Sequence, residues 1–268
     1  MTELKDVQKT APKHLIPIDF VGISGFKLPI SVGTKSGSYQ TTIADVSVYG
    51  NLPATKKGID MSRIPIAIQK FSGQSLDVKV TNDVAEHIRR KLEVDICKIS
   101  YKFPYFVQKI APVSKEPGIV SYDITFDLTK AEDSTIFIMK AVVVGTSLCP
   151  CSKEISNNSA HNQRAIVEVS VKINNTGFLW IEDLIELIEM SCSGRMYSVL
   201  KRVDEKAITE FMYDNPKFVE DIVRDCAFNL SQVPDIFEFN VKVSSEESIH
   251  QHNAVAILSG SNETLQKY

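Results

Sequence analysis

The chain has 268 residues, 43% of them hydrophobic and 24% charged, with a formal net charge of −3. Such values belong to ordinary globular proteins with a large buried core, and they give no overall cationic footprint for nucleic acid or a membrane surface. The opening MTELKDVQKTAPKHL lacks the apolar run of a signal peptide, and no later run reaches membrane-span length. With five cysteines in such a chain, reduced thiols and a cytoplasmic location are expected rather than a disulfide framework.

Residues 1–15 read as a loosely ordered arm. Ile16–Ser24, Phe26–Val32 and the β-branched Tyr39–Gly50 read as strands. Ile64–Phe71 carries an apolar helical stripe. Asn82–Leu92 follows with Val84, Ile88 and Leu92 four apart, and Thr81 is the expected N-cap. Asp95–Ile110 and Gly118–Leu128 are strand runs separated by Pro112, Pro117 and Gly118.

The second half repeats this order. Ser134–Val144 and Arg164–Ile173 read as strands, the latter alternating Ile166 and Glu168 against Val167, Val169 and Val171. Asn174–Gly177 breaks the chain, and Trp180–Met190 is an amphipathic helix with Ile181, Leu184, Ile185 and Ile188 on one face. A further helix is expected with Asn215 as cap and Pro216 at its first position, its stripe running through Phe218, Val219, Ile222, Val223 and Cys226. Ile236–Val243 and Asn253–Leu258 close the chain as strands. The order is thus β-β-α-α-β-β, approximately twice, which predicts an α+β protein with antiparallel sheets and helices on one face. Residues 1–130 and 131–268 are the expected units. Neither GxGxxG nor GxxxxGK[ST] occurs, so a Rossmann or P-loop nucleotide site has no support.

Four constellations could carry chemistry. Cys149-Pro-Cys151 and His161 lie in a polar segment between two strand runs. Thiolate and imidazole are ligands that zinc prefers, but the spacing is not that of a structural zinc knuckle, so further ligands must come from distant sequence. Two loop thiols and a strand-end histidine is the simpler alternative. Pro150 directs the two sulfurs apart, so one rather than both is expected to bind, with Cys149 as the ligand and Cys151 as a neighbour or a reserve. Cys97, Cys192 and Cys226 sit in apolar or helical surroundings and read as core thiols.

In the second constellation, Ser191 to Lys206, the cations Arg195, Lys201 and Arg202 could neutralise a phosphate chain, or simply coat a solvated helix. Glu205 there could supply a carboxylate to a Cys–His–Glu set. Glu220 falls at the edge of its helix's apolar stripe, either a flank residue or a pocket acid, with Asp221 facing outward. Last, Glu246-Glu247-Ser-Ile-His250-Gln-His252 places both histidines on one side of a hairpin, with Glu247 near enough to orient an imidazole. An exposed turn is the alternative.

Five stretches, in order, resemble GTP cyclohydrolase I of the type B family: Ser147–Ser156, Ala160–Arg164, Leu200–Lys206, Asn215–Asp221 and Glu247–Ala254. Gly58–Arg63 adds to the resemblance in the first half, with Asp60 standing where the family form has histidine. The resemblance implies hydrolysis of GTP to 7,8-dihydroneopterin triphosphate and formate, opening pterin and tetrahydrofolate synthesis. It implies two tandem tunnelling-fold units and a homo-oligomer, taken as a tetramer, with sites at subunit interfaces and no nucleic-acid or membrane partner.

It further implies one divalent metal per site, zinc, manganese or iron, on Cys149, His161 and Glu205. His250 and Glu247 become the proton-handling pair, Glu220 the guanine anchor, and Lys201, Arg202 and His252 further substrate contacts. Two rivals are a related tunnelling-fold enzyme on another purine or pterin, or giving a cyclic phosphate, and a non-catalytic nucleotide-binding module.

Overall fold

The computed structural model describes residues 8, 10–174 and 177–262. Most of the expected N-terminal arm, residues 1–7 and 9, and positions 175–176 of the Asn174–Gly177 break lie outside the described residues. The described residues form ten strands and six helices, and the pairings are antiparallel except for one two-residue parallel pairing. No described helix is long and apolar enough to cross a membrane. The chain divides into two compact units, residues 1–103 with 125–137, and residues 104–124 with 138–268.

The first unit is built on β1 (Ile18–Gly33) and β2 (Tyr39–Leu52), which pair antiparallel, followed by α1 (Arg63–Gln69), β3 (Ser75–Leu76) and α2 (Val78–Leu92). The two strand runs expected at the start are one strand. Gly25 at φ +72° carries the chain through an irregularity between Ile23 and Phe26, where a side chain would be strained. The cap of α2 also differs from expectation. Asp77, extended, accepts the Val80 N–H at 2.7 Å, whereas Thr81 is buried one turn inside and donates its hydroxyl to the Asp77 carbonyl. The β-branched Val78 and Val80 are poor helix formers and hid that first turn. Ile64 and Ile68 of α1 and Val84 and Ile88 of α2 are buried with Val46 and Val48 of β2.

Three strands, β4 (Cys97–Ile110), β5 (Pro117–Lys130) and β6 (Thr135–Leu148), contribute residues to both units. In the second unit β6 pairs with β7 (Asn162–Ile173), β7 with β9 (Ile236–Ser245), and β9 with β10 (Ala254–Ser261). The alternation read from the sequence is the one observed. Val167, Val169 and Val171 oppose Val243, Val241 and Phe239 and are buried, while Glu168 opposes Lys242 and pairs with it at 2.7 Å.

The helices of this unit are α3 (Pro150–Ile155), α4 (Ile181–Ser191), α5 (Arg202–Asp214) and α6 (Val219–Ser231), and β8 (Gly194–Arg195) pairs with β6. Ile181, Leu184, Ile185 and Ile188 of α4 are buried as expected. The start of α6 is later than expected. Phe218 is its N-cap, and Asn215 instead ends α5, its side-chain amide donating to the carbonyls of Cys192 and Ser193. Lys217 forms an isolated bridge with Leu148, so this stretch is occupied by strand-like pairing before the helix can begin.

Candidate active site

Two loops meet because the strands leading into them are joined. Ser147 near the end of β6 and Ser245 at the end of β9 are buried and share a hydrogen bond of 2.8 Å. Beyond Leu148 the chain turns into α3 with Pro150 at its first position and Cys149 as its cap, the half-buried sulfur accepting the Ser152 N–H at 3.4 Å. The return into β7 brings His161 back onto this turn. The Cys149 N–H donates to the His161 carbonyl (3.1 Å), and the His161 N–H donates to the Ser152 hydroxyl (3.2 Å). Cys149 and His161 are therefore pinned together through their backbones. Cys151 is exposed.

Gln163 was not singled out by its sequence. Its side chain bonds His161 Nδ1 at 3.0 Å and Glu247 Oε1 at 3.3 Å. The signal was the spacing: in a strand, residues two apart share a face. Glu247 enters because the Glu246 N–H donates to the Arg164 carbonyl, seating the β9–β10 loop against the start of β7. In this loop His250 and His252 are exposed and stacked, ring centroids 5.2 Å apart and planes 14° apart, which agrees with side chains on one side of a hairpin. Glu247 is hydrogen-bonded to Gln163, whereas the contact of His250 is with His252.

The remaining candidates occupy helix starts. Glu205, exposed, is in the first turn of α5. Lys153 of α3 donates to the Tyr213 carbonyl at the other end of that helix. Glu205 lies eight residues before Tyr213, about 12 Å along the axis at 1.5 Å per residue. Among the described residues, no three His, Cys, Asp or Glu side chains converge closely enough to hold a metal ion. Cys149 and His161, a thiol and an imidazole, are thus held on one turn through their backbones, and Glu205 is not gathered with them in the single chain. Donor chemistry fits a borderline-soft ion at two positions.

Lys201, exposed, forms an ion pair with the partly exposed Glu116, and Arg202 is exposed at the first position of α5. Glu220 is exposed at the start of α6, and it is Asp221 that turns back, accepting the Phe218 N–H at 3.0 Å. Asp221 is thus engaged in capping the helix, and Glu220 stands on the flank of its apolar stripe.

Asp204 also escaped the sequence reading. It is fully buried and accepts from the Val113 and Ser114 N–H groups (both 2.8 Å), the Ser114 hydroxyl (2.6 Å) and the Lys201 N–H (2.9 Å). Although burial opposes ionisation, these donors hold its carboxyl well below the usual range. The residue locks the first turn of α5, and so Lys201, Arg202 and Glu205, onto the β4–β5 turn. No Ser or Thr stands at the cap position to advertise such a box. In the first unit, Asp60 accepts the Ser62 hydroxyl at 2.6 Å and pairs with Arg63 at 2.9 Å.

Comparison with known proteins is consistent along the chain. Residues 4–256 match the family model described as type I GTP cyclohydrolase folE2. GTP cyclohydrolase FolE2 of Desulfosudis oleivorans is 42% identical over 256 residues, covering 95% of this chain and 97% of that protein. Its counterpart from Nitrosococcus oceani is 41% identical over 255 residues, covering 95% and 94%. A uricase from Bacillus fastidious shares the fold, with a TM-score of 0.56 at 10% identity over 92% of this chain and 95% of that one. With the family model matched over residues 4–256 and relatives above 40% identical along nearly the whole chain, this α+β protein belongs to the type I GTP cyclohydrolase FolE2 family.

Proposed function

We propose that this chain hydrolyses GTP to 7,8-dihydroneopterin triphosphate and formate. Family membership supports the reaction. The observation that carries it is the convergence of Cys149, His161, Gln163 and Glu247 at the joined ends of β6, β7 and β9. Cys149 and His161, with Glu205, would hold a divalent ion, zinc or manganese. When bound, such an ion acidifies water for attack at C8 of the guanine, the carbon that leaves as formate.

The other roles belong to the protein's own groups. Glu220 would accept hydrogen bonds from the guanine ring N–H and exocyclic amine, a paired donor edge that a carboxylate matches. His250 would move protons to and from the opening imidazole ring, with Glu247 of the same loop as its companion acid. Arg202, His252 and Lys201 would face the triphosphate. The exposed Lys201–Glu116 pair is weak enough to be exchanged for phosphate.

The exposure of Glu205, Glu220, His250 and His252 supports a site completed where copies of the chain meet, in a homotetramer. The run β1-β2-α1-α2-β4-β5 followed by β6-β7, helices, β9-β10 supports two tandem tunnelling-fold units, residues 1–130 and 131–268. The test is to strip the protein with chelator, restore zinc or manganese, and assay GTP for formate and the fluorescent pterin. Product mass separates an open triphosphate from a cyclic phosphate. A metal-loaded protein that releases no formate from GTP overturns the proposal.

A further inference from the structure

We infer that Gln163 is a positioning residue that fixes which nitrogen of His161 is free to bind a ligand, and that couples that choice to Glu247. The argument rests on hydrogen-bond polarity. Glu247 is a carboxylate and only accepts, so the Gln163 atom 3.3 Å from its Oε1 must be the amide nitrogen. The amide oxygen then faces His161, 3.0 Å from Nδ1. An oxygen can only accept there, so Nδ1 carries the proton and Nε2 keeps its lone pair. The opposite amide orientation would set oxygen against carboxylate oxygen.

The geometry around this relay leaves the imidazole little other freedom. The backbone of His161 is bound on both sides to the cysteine turn, through its carbonyl to the Cys149 N–H and through its N–H to Ser152. Only the side-chain torsions remain, and Gln163 engages the ring end they would move. A half-buried amide with both ends engaged loses little further entropy when the site fills. The single side chain thus links the Cys149–His161 turn to the loop that carries His250 and His252. A neutral histidine whose other nitrogen is tied by a hydrogen bond is the form that ligates metals, and loss of such a tie weakens metal affinity by roughly 10–100-fold.

This inference rests on the reading of His161 as a metal ligand, and its test separates the two. The full-length protein, stripped of metal and labelled at histidine nitrogen, is compared as wild type, Gln163→Leu and Gln163→Glu by long-range proton–nitrogen NMR. Loss of signal in His161→Ala assigns the resonance. Wild type is expected to show His161 protonated at Nδ1 and Gln163→Leu a mixture of tautomers. Zinc affinity of Gln163→Leu, measured against a chromophoric chelator, is expected to fall roughly 10–100-fold.

Gln163→Glu retains an acceptor for Nδ1–H but repels Glu247. It is expected to keep the tautomer and to bind zinc within about threefold of wild type, while kcat for formate release falls and KM for GTP moves less than about threefold. A wild-type His161 protonated at Nε2, or a Gln163→Leu protein with unchanged tautomer and zinc affinity, overturns the inference. Tautomer and affinity shifts as expected in a protein that releases no formate from GTP leave the role of Gln163 standing and overturn the proposed activity instead.

Discussion

At the scale of single residues, the chain separates its five thiols by environment. Cys97, Cys192 and Cys226 are buried, and burial pushes each thiol up to about 12, so they stay protonated and unreactive. Cys149 is half-buried and Cys151 exposed. A thiol-reactive disulfide reagent is therefore expected to titrate these two in the native protein and all five in denaturant. Cys149→Ala should lower formate release by more than about 100-fold, with zinc stoichiometry falling in parallel. Cys151→Ala, at an exposed position beside it, should leave turnover within about threefold and stability within about 0.5 kcal/mol. Steady-state kinetics, metal analysis and urea titration of both variants check this pair of outcomes. The different exposure of the two sulfurs is recorded only in the fold, since a proline between them does not say which one is covered. The role of Gln163 was not legible in the sequence either, because a glutamine in a strand carries no pattern of its own.

Individual elements are held by buried polar groups that periodicity does not reveal. Helix α4 is tied to β4 and β5 by Glu189, which receives the Lys109 ammonium at 2.7 Å and the Tyr122 hydroxyl at 2.6 Å, all largely buried. Tyr105 donates likewise to Glu182 at 2.7 Å. Glu189→Leu strands the Lys109 charge and should destabilise the protein by about 3–5 kcal/mol, whereas the double variant with Lys109→Met should regain most of that. Urea denaturation of the three proteins measures it.

Helix α5 depends in the same way on Asp204, whose folded carboxyl is held below its ordinary value. A depressed acid stabilises fully above the unfolded range, and the stabilisation is lost as pH falls through about 4 toward the folded value. Glu86 in α2, held down to about 2 chiefly by its hydrogen bond from Arg89, contributes with the same sign. The urea midpoint of wild type should be flat from pH 7 to 5 and decline below about pH 4. Asp204→Asn should start lower at pH 7 and show a shallower acid decline. It should also lower turnover, because the turn bearing Glu205 loses its anchor.

For the whole molecule, the proposed site predicts association. Six of its candidate side chains, Lys201, Arg202, Glu205, Glu220, His250 and His252, are exposed on the single chain, and the described residues gather no complete metal set. Light scattering should give a mass about four times the 29.9 kDa of the chain, and dilution that dissociates the assembly should abolish turnover. The sequence by itself determined the α+β class, the amphipathic face of α4 and the buried valine face of β7, since these follow from local periodicity, and the family through its motifs, whereas α3 and α5 carried no periodic signal strong enough to place them. Helix starts were misplaced where the cap was supplied by an acid ahead of the visible stripe, as at Asp77, or by the stripe's own first residue, as at Phe218. Only the tertiary structure decided that Gln163 joins His161 to Glu247 and that Asp204 anchors α5 from residues some 90 positions earlier. Hydrogen bonds between distant segments depend on strand register and on which loops are brought together, and neither is written in the spacing of any one segment.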